Sequence, residues 1–141
     1  LLQQNSFCYK IIICGKGLPE EMNELKTYAD KNIIYTGFIS DIATYYKAAD
    51  IFLNPVLSGG GVKTKIVEAI SYGTTVISTE TGAAGMVKEV CGEKLQIVAY
   101  DSWESFERKI IKNKSIKNQT PQEYYNYYFY PNIIERIIRL V

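Results

Sequence analysis

Histidine is absent from all 141 residues. That removes imidazole-ligated zinc sites and every nucleophile triad whose base is a histidine. Cysteine is scarce: Cys8, Cys14 and Cys91 are odd in number and lack metal-ligand spacing, so they read as buried, reduced thiols of a cytoplasmic protein. Charge of one sign is lacking as well, with 16 basic against 15 acidic residues and a net +1. No bulk field draws such a chain to nucleic acid, which is not expected as a partner. No apolar run approaches the length needed to cross a bilayer, and the opening residues show no secretory signal pattern. The chain starts at Leu1, and "LLQQNS" reads as the end of an element, so the expectation is a fragment of something longer.

What is present is an ordinary soluble composition, 47% apolar and 22% charged, in a length that suits one domain with a sizeable core. "FCYKIIICG" (7–15) is a β-branched apolar run that predicts a strand buried on both faces. A helix is expected in "KGLPEEMNELKTYAD", with Pro19 near its start and Met22, Leu25, Tyr28 and Ala29 at helical spacing. A second strand spans 32–37. A helix capped by Ser40 or Asp41 leads to a third strand, "IFLNP", closed by Pro55. "VKTKIVEAISYG" reads as a helix stopped at Gly73, followed by a strand at 74–79 and another in "KLQIVAY". "SWESFERKIIKNK" is an amphipathic helix with Trp103, Phe106, Ile110 and Ile111 on one side.

Strand and helix alternate throughout. The expected fold class is therefore α/β: a doubly wound, Rossmann-like parallel sheet of about five to six strands with helices on both faces. Ligands of such sheets bind beyond the carboxyl ends of the strands. The loops to inspect are 15–17, 37–40, 54–61 and 80–85, where the glycines concentrate.

The stretch "NPVLSGGGVKTKIVEAISYG" (54–73) admits three phosphate-binding readings. A nucleotide-triphosphatase loop requires glycine directly before Lys-Ser/Thr, and Val62 precedes Lys63 and Thr64. A dinucleotide fingerprint has only Gly15-Lys16-Gly17 to offer, with Glu20 where the third glycine belongs. The third reading is a diphosphate cap. Gly59, Gly60 and Gly61 let the chain turn tightly, and the first helical turn exposes amides at Val62, Lys63, Thr64 and Lys65. Lys63 and Lys65 add positive charge where the helix dipole already favours an anion. Glu68 shares a face with Thr64 one turn on, while Ile66, Val67 and Ile70 face the sheet. A carboxylate there would repel a phosphate but suits a vicinal diol, which donates two hydrogen bonds to it. Diphosphate beside ribose describes a nucleoside diphosphate. The plainer alternative is a surface Lys65–Glu68 pair beside a loose glycine loop, and the residues by themselves leave both open.

The segment "DIFLNPVLSGGGVKTKIVEAISYGTTVISTETGAAG" (50–85) resembles the donor-binding signature of GT-B fold glycosyltransferases, the group 1, family 4-like set that includes retaining sugar-nucleotide transferases. The wider order of "CGKG", "NIIYTGFISD" and "YYKAADIFLNP" resembles it too, over residues 7 to 100. The resemblance implies the C-terminal, donor-holding half of such an enzyme. It implies Glu68 on the ribose hydroxyls and the Gly61–Lys65 turn on the diphosphate. The loop holding Gly37, Phe38 and Ile39 would lie beside the base, with Gly15, Lys16 and Gly17 lining the same cleft. One departure stands out: many members carry a second glutamate eight positions earlier to hold the sugar, and here that position is Gly60. The family's basic pair and its acceptor domain would lie upstream of Leu1. No catalytic residue is assigned within this chain; Lys63 and Lys65 are candidates for supporting the leaving diphosphate.

The implied donor is a UDP- or GDP-sugar, with no cofactor and no metal, and the implied partner is the chain's own N-terminal acceptor domain. A peripheral position at the inner face of the cytoplasmic membrane is part of the same expectation. A UDP-sugar epimerase of the same fold and a non-catalytic nucleotide-binding module are the rival readings. The domain division expected is a donor-binding α/β domain over 1–120 and a tyrosine-rich helical tail over 121–141. Pro131 would start the tail's helix, carrying Ile133, Ile134, Ile137, Ile138 and Val141. The tail can pack on its own domain, face the N-terminal domain, or touch a membrane together with Lys109, Lys112, Lys114 and Lys117.

Overall fold

The computed structural model describes residue 2 and residues 7–17, 32–61, 63–99, 102–114 and 118–139. The helix expected after Gly17 lies outside the described residues. The chain divides into two units, Leu1–Ile42 and Ala43–Val141.

In the first unit, β1 (Ile11–Cys14) and β2 (Ile33–Gly37) run parallel, pairing Ile11 with Ile33 and Ile13 with Tyr35. The register shifts between Ile13 and Cys14, so that Cys14 pairs with Gly37. β1 is shorter than the apolar run of 7–15, and it is not buried on both faces. Ile12 is 45% exposed, as is its pairing partner Ile34 at 40%. A β-branched run specifies extended backbone; how many of its faces are covered depends on what packs there.

The second unit opens with α1 (Ile42–Ala48) at the boundary and continues β3 (Ile51–Asn54), α2 (Thr64–Ser71), β4 (Thr75–Thr79), a short α3 (Lys88–Cys91) with a 3-10 turn, and β5 (Leu95–Val98). It closes with α4 (Trp103–Asn113), α5 (Gln122–Tyr128) and α6 (Tyr130–Ile138). The strands are parallel in the order β3-β4-β5, with Val76 flanked by Phe52 and Leu95. Every residue of β4 is buried, as expected for the central strand of a sheet covered on both sides.

Alternation along the strands separates two cores. Val76 and Leu95 pack with Ile66, Ala69 and Ile70 of α2, and with Tyr46, Cys91 and Tyr124. Ile77 and Val98 point the other way, onto Phe106 of α4. Helices thus cover both faces of this sheet. Trp103 and Ile111 do not join that core: Trp103 is 50% exposed and Ile111 is also open to solvent. The Trp103 ring centre still lies 5.8 Å from that of Phe106, at the margin of that core. Ser102 caps α4, its side chain accepting from Ser105 N at 3.3 Å.

The tyrosine cluster is helical from Gln122, well before Pro131. Phe129 adopts an extended conformation and α6 restarts at Tyr130, so Pro131 falls in a first turn, where its missing N–H costs nothing. Tyr124 is fully buried and donates to Val67 O at 2.6 Å; Tyr125 donates to Ser71 O at 3.2 Å. Val87 N donates to Tyr128 Oη at 2.9 Å. α5 is therefore bound to α2 and to the segment entering α3. The cysteines differ from expectation: all three are free, but only Cys91 is buried, while Cys14 is half-buried and Cys8 exposed. Among the described residues no helix is long and apolar enough to cross a membrane.

Candidate functional site

The glycine loop has a fixed root. Asn54, the buried last residue of β3, donates from Nδ2 to Ser78 Oγ at 2.9 Å. Thr79 Oγ1 donates to Val56 O, and Gly82 N donates to Thr79 Oγ1 at 3.0 Å. Buried polar groups are stable only when partnered, and here the ends of β3 and β4 satisfy each other. Beyond this anchor, residues 57–61 are exposed. Gly59 and Gly61 sit at φ of 105° and 77°, in the left-handed region that disfavours side chains.

The loop delivers the chain to the start of α2 through Lys63, which is extended and serves as the N-cap. Its carbonyl accepts from Ile66 N at 2.8 Å and Val67 N at 3.3 Å. Among the described residues no side chain caps this end. The amides of the first turn, Thr64 and Lys65, have no acceptor within the helix by its geometry. Val62 lies outside the described residues. Lys63 Nζ donates to Gly60 O at 3.1 Å, which curls the loop over its own cation, while Lys65 is exposed. An open helix start with two lysines favours an anion on both dipole and charge grounds.

Glu68 follows one turn later and is exposed, while Ile66 and Ile70 are fully buried, so the face division read from the sequence is the one observed. No ion pair joins Glu68 to Lys65 among the described residues, which weakens the surface-pair reading. Its neighbour is instead Tyr46 of α1, whose hydroxyl donates to Glu68 Oε2 at 3.4 Å. Sequence reasoning missed Tyr46. The signal available was a tyrosine on the inward side of α1, in "YYKAAD", whose one polar atom must find a partner once the ring is buried.

In the first unit, the remaining predicted residues gather at the carboxyl ends of β1 and β2. Gly15 N donates to Gly37 O at 2.8 Å, and Tyr35 Oη donates to Gly15 O at 2.6 Å. Lys16 and Gly17 are exposed. Lys16 Nζ lies 4.5 Å from the centre of the Phe38 ring, which is itself largely exposed, and Ile39 is half-buried. Gly37, at φ 68°, makes the turn that presents Phe38.

Comparison with solved structures places the fold. HepE from Anabaena, in complex with UDP, superposes with a TM-score of 0.70 at 16% identity, covering 94% of this chain and 40% of HepE. TarM gives 0.72 at 14%, covering 99% of this chain and 30% of TarM. AviGT4, a glycosyltransferase involved in avilamycin A biosynthesis, gives 0.65 at 15%, covering 93% and 42%. HepE has also been solved with UDP-glucose. At these identities the likeness concerns the fold, and the chain spans less than half the length of each of these proteins. No curated protein matches the chain. The model of the family described as "Glycosyl transferases group 1" matches residues 1–113. With that match over most of its length, on an α/β fold similar to GT-B glycosyltransferases, the chain belongs to the group 1 glycosyltransferases.

Proposed function

We propose that this chain is the donor-binding half of a retaining glycosyltransferase that moves a hexose-type sugar from a UDP- or GDP-sugar to a glycan or lipid-linked acceptor, in polysaccharide or glycoconjugate synthesis. The observation that carries the reading is the uncapped start of α2, preceded by Gly59–Gly61 and followed one turn on by the exposed Glu68. The diphosphate lies on the amides of Thr64 and Lys65, with Lys63 and the glycine run around it. Charge that builds on the leaving diphosphate is met there by the helix dipole and by Lys63 and Lys65. Glu68 accepts from the two ribose hydroxyls. The UDP complexes of HepE, a protein of similar fold, support this choice of ligand.

No metal or cofactor enters the reading, because the positive charge that a diphosphate needs is supplied by lysines and amides. The acceptor site belongs to an N-terminal domain, and the enzyme works in the cytoplasm, at the inner membrane face when its acceptor is a lipid-linked glycan. Calorimetric titration of the intact protein with UDP, GDP and ADP tests the core of this. One of the uridine or guanosine diphosphates is expected to bind and to raise the melting temperature. Failure of all three to bind would leave a non-catalytic module as the better description.

A further inference from the structure

We infer that Tyr46 is a positioning residue for the nucleotide: it fixes the rotamer of Glu68 so that the carboxylate meets the ribose already oriented. The inference rests on the donor-site reading above and adds to it a residue outside the binding loop.

Three contacts immobilise Tyr46. Its ring is 5% exposed and stacks on Tyr72, with centroids 5.9 Å apart and planes 16° from parallel. Phe52 of β3 meets it at 5.5 Å and 75°, an edge-to-face contact. Thr74 Oγ1 donates to its backbone carbonyl, tying the end of α1 to the residue before β4. Tyr72 is held in turn, with Lys47 Nζ 5.4 Å from its ring centre. A ring gripped on two sides carries its hydroxyl to one place, and that place is 3.4 Å from Glu68 Oε2.

Among the described residues Glu68 has no comparable support. It is exposed on α2, without an ion pair to Lys65, and a free glutamate samples many rotamers that a ligand must freeze. A hydrogen bond from Tyr46 occupies one lone pair of Oε2 and leaves the other sites of the carboxylate to accept from two adjacent hydroxyls. Pre-orientation of this kind raises affinity without touching the ligand.

The test uses Tyr46→Phe in the intact protein, which keeps the ring and its packing and removes only the donor. Affinity is measured by calorimetry for UDP, or GDP if that is the tighter binder, and for its 2′,3′-dideoxy counterpart. Tyr46→Phe is expected to weaken the ribonucleotide by about 3- to 10-fold and to leave the dideoxy nucleotide within about two-fold, because only the diol senses the carboxylate. Glu68→Gln should show the same selectivity, and the double variant should be no weaker than Glu68→Gln alone. An equal loss for both nucleotides would make Tyr46 merely structural and overturn the inference. So would an unchanged ribonucleotide affinity in Tyr46→Phe alongside a weakened Glu68→Gln, with the donor site left standing. Undiminished binding by Glu68→Gln would remove the donor-site reading itself, and the inference with it.

Discussion

The hydroxyl of Tyr124 donates to the backbone carbonyl of Val67 at 2.6 Å, joining the tyrosine-rich helix α5 to α2, the helix that carries Glu68. Thr120 reinforces the junction from the preceding segment, its Oγ1 donating to Ile70 O at 2.8 Å. Tyr124→Phe keeps the buried ring and deletes the donor. The expected loss is about 1 kcal/mol of unfolding free energy, the usual net contribution of one such bond, read from urea denaturation.

Glu68→Ala tests the site where the chemistry is densest. The side chain is exposed and makes one contact with a buried neighbour, so the fold should be nearly unaffected, within about 0.5 kcal/mol. Nucleotide affinity should fall by about 1–3 kcal/mol, the range for losing a charged hydrogen-bonding partner. Calorimetry and thermal melting on the same preparation separate the two effects.

Gly82→Ala should do the reverse. A Cβ at residue 82 would lie 2.5 Å from Asn54 Nδ2, 2.6 Å from Ser78 Oγ and 2.9 Å from Thr79 Oγ1. Asn54 Nδ2 is bonded to Ser78 Oγ, and Thr79 Oγ1 to Val56 O and Gly82 N; Asn54, Ser78 and Thr79 are all buried, so none of the three can yield freely. Destabilisation of about 1–3 kcal/mol is expected, the usual penalty for overpacking, measured by urea denaturation.

Cys91 gives the chain a pH signature. Burial pushes its thiol up to about 11 from an ordinary 9.0, partly offset by Lys88. The folded state therefore keeps a proton that the unfolded state releases, and this contribution is intact below pH 9 and disappears between pH 9 and about 11. Tyr124 and Tyr128, also raised by burial, add losses above pH 10; Lys94, lowered by burial, opposes them as its unfolded form releases its proton near 10.5. Cys91→Ala should flatten the pH 9–10 part of the stability profile. In the native protein a thiol reagent at pH 8 should modify Cys8 readily and spare Cys91 until the chain unfolds.

Much of this was legible because local chemistry and tertiary need agree. The polar face of α2 and the strand at β4 follow from local pattern, and the folded chain adopts both, although Thr75, Ser78 and Thr79 of the buried β4 are polar. Tyr46 was hidden because its role depends on where α1 lies against α2, which periodicity does not encode. The apolar side of α4 was legible, with Trp103 beside Phe106, but a stripe does not disclose that Trp103 itself stays half exposed. The early start of α5 escaped notice because tyrosine is an indifferent helix former, and its helicity comes from burying Tyr124.

The loop between Asn54 and Lys63 is anchored at its base and open at its crest, and that asymmetry bears on how such a domain diversifies. Gly60 has no neighbour within 4 Å of an added Cβ, and unlike Gly59 and Gly61 it needs no left-handed backbone. New side chains can be trialled at that crest with little penalty to folding, so what the loop presents to its surroundings and how stably the domain folds become separable under mutation.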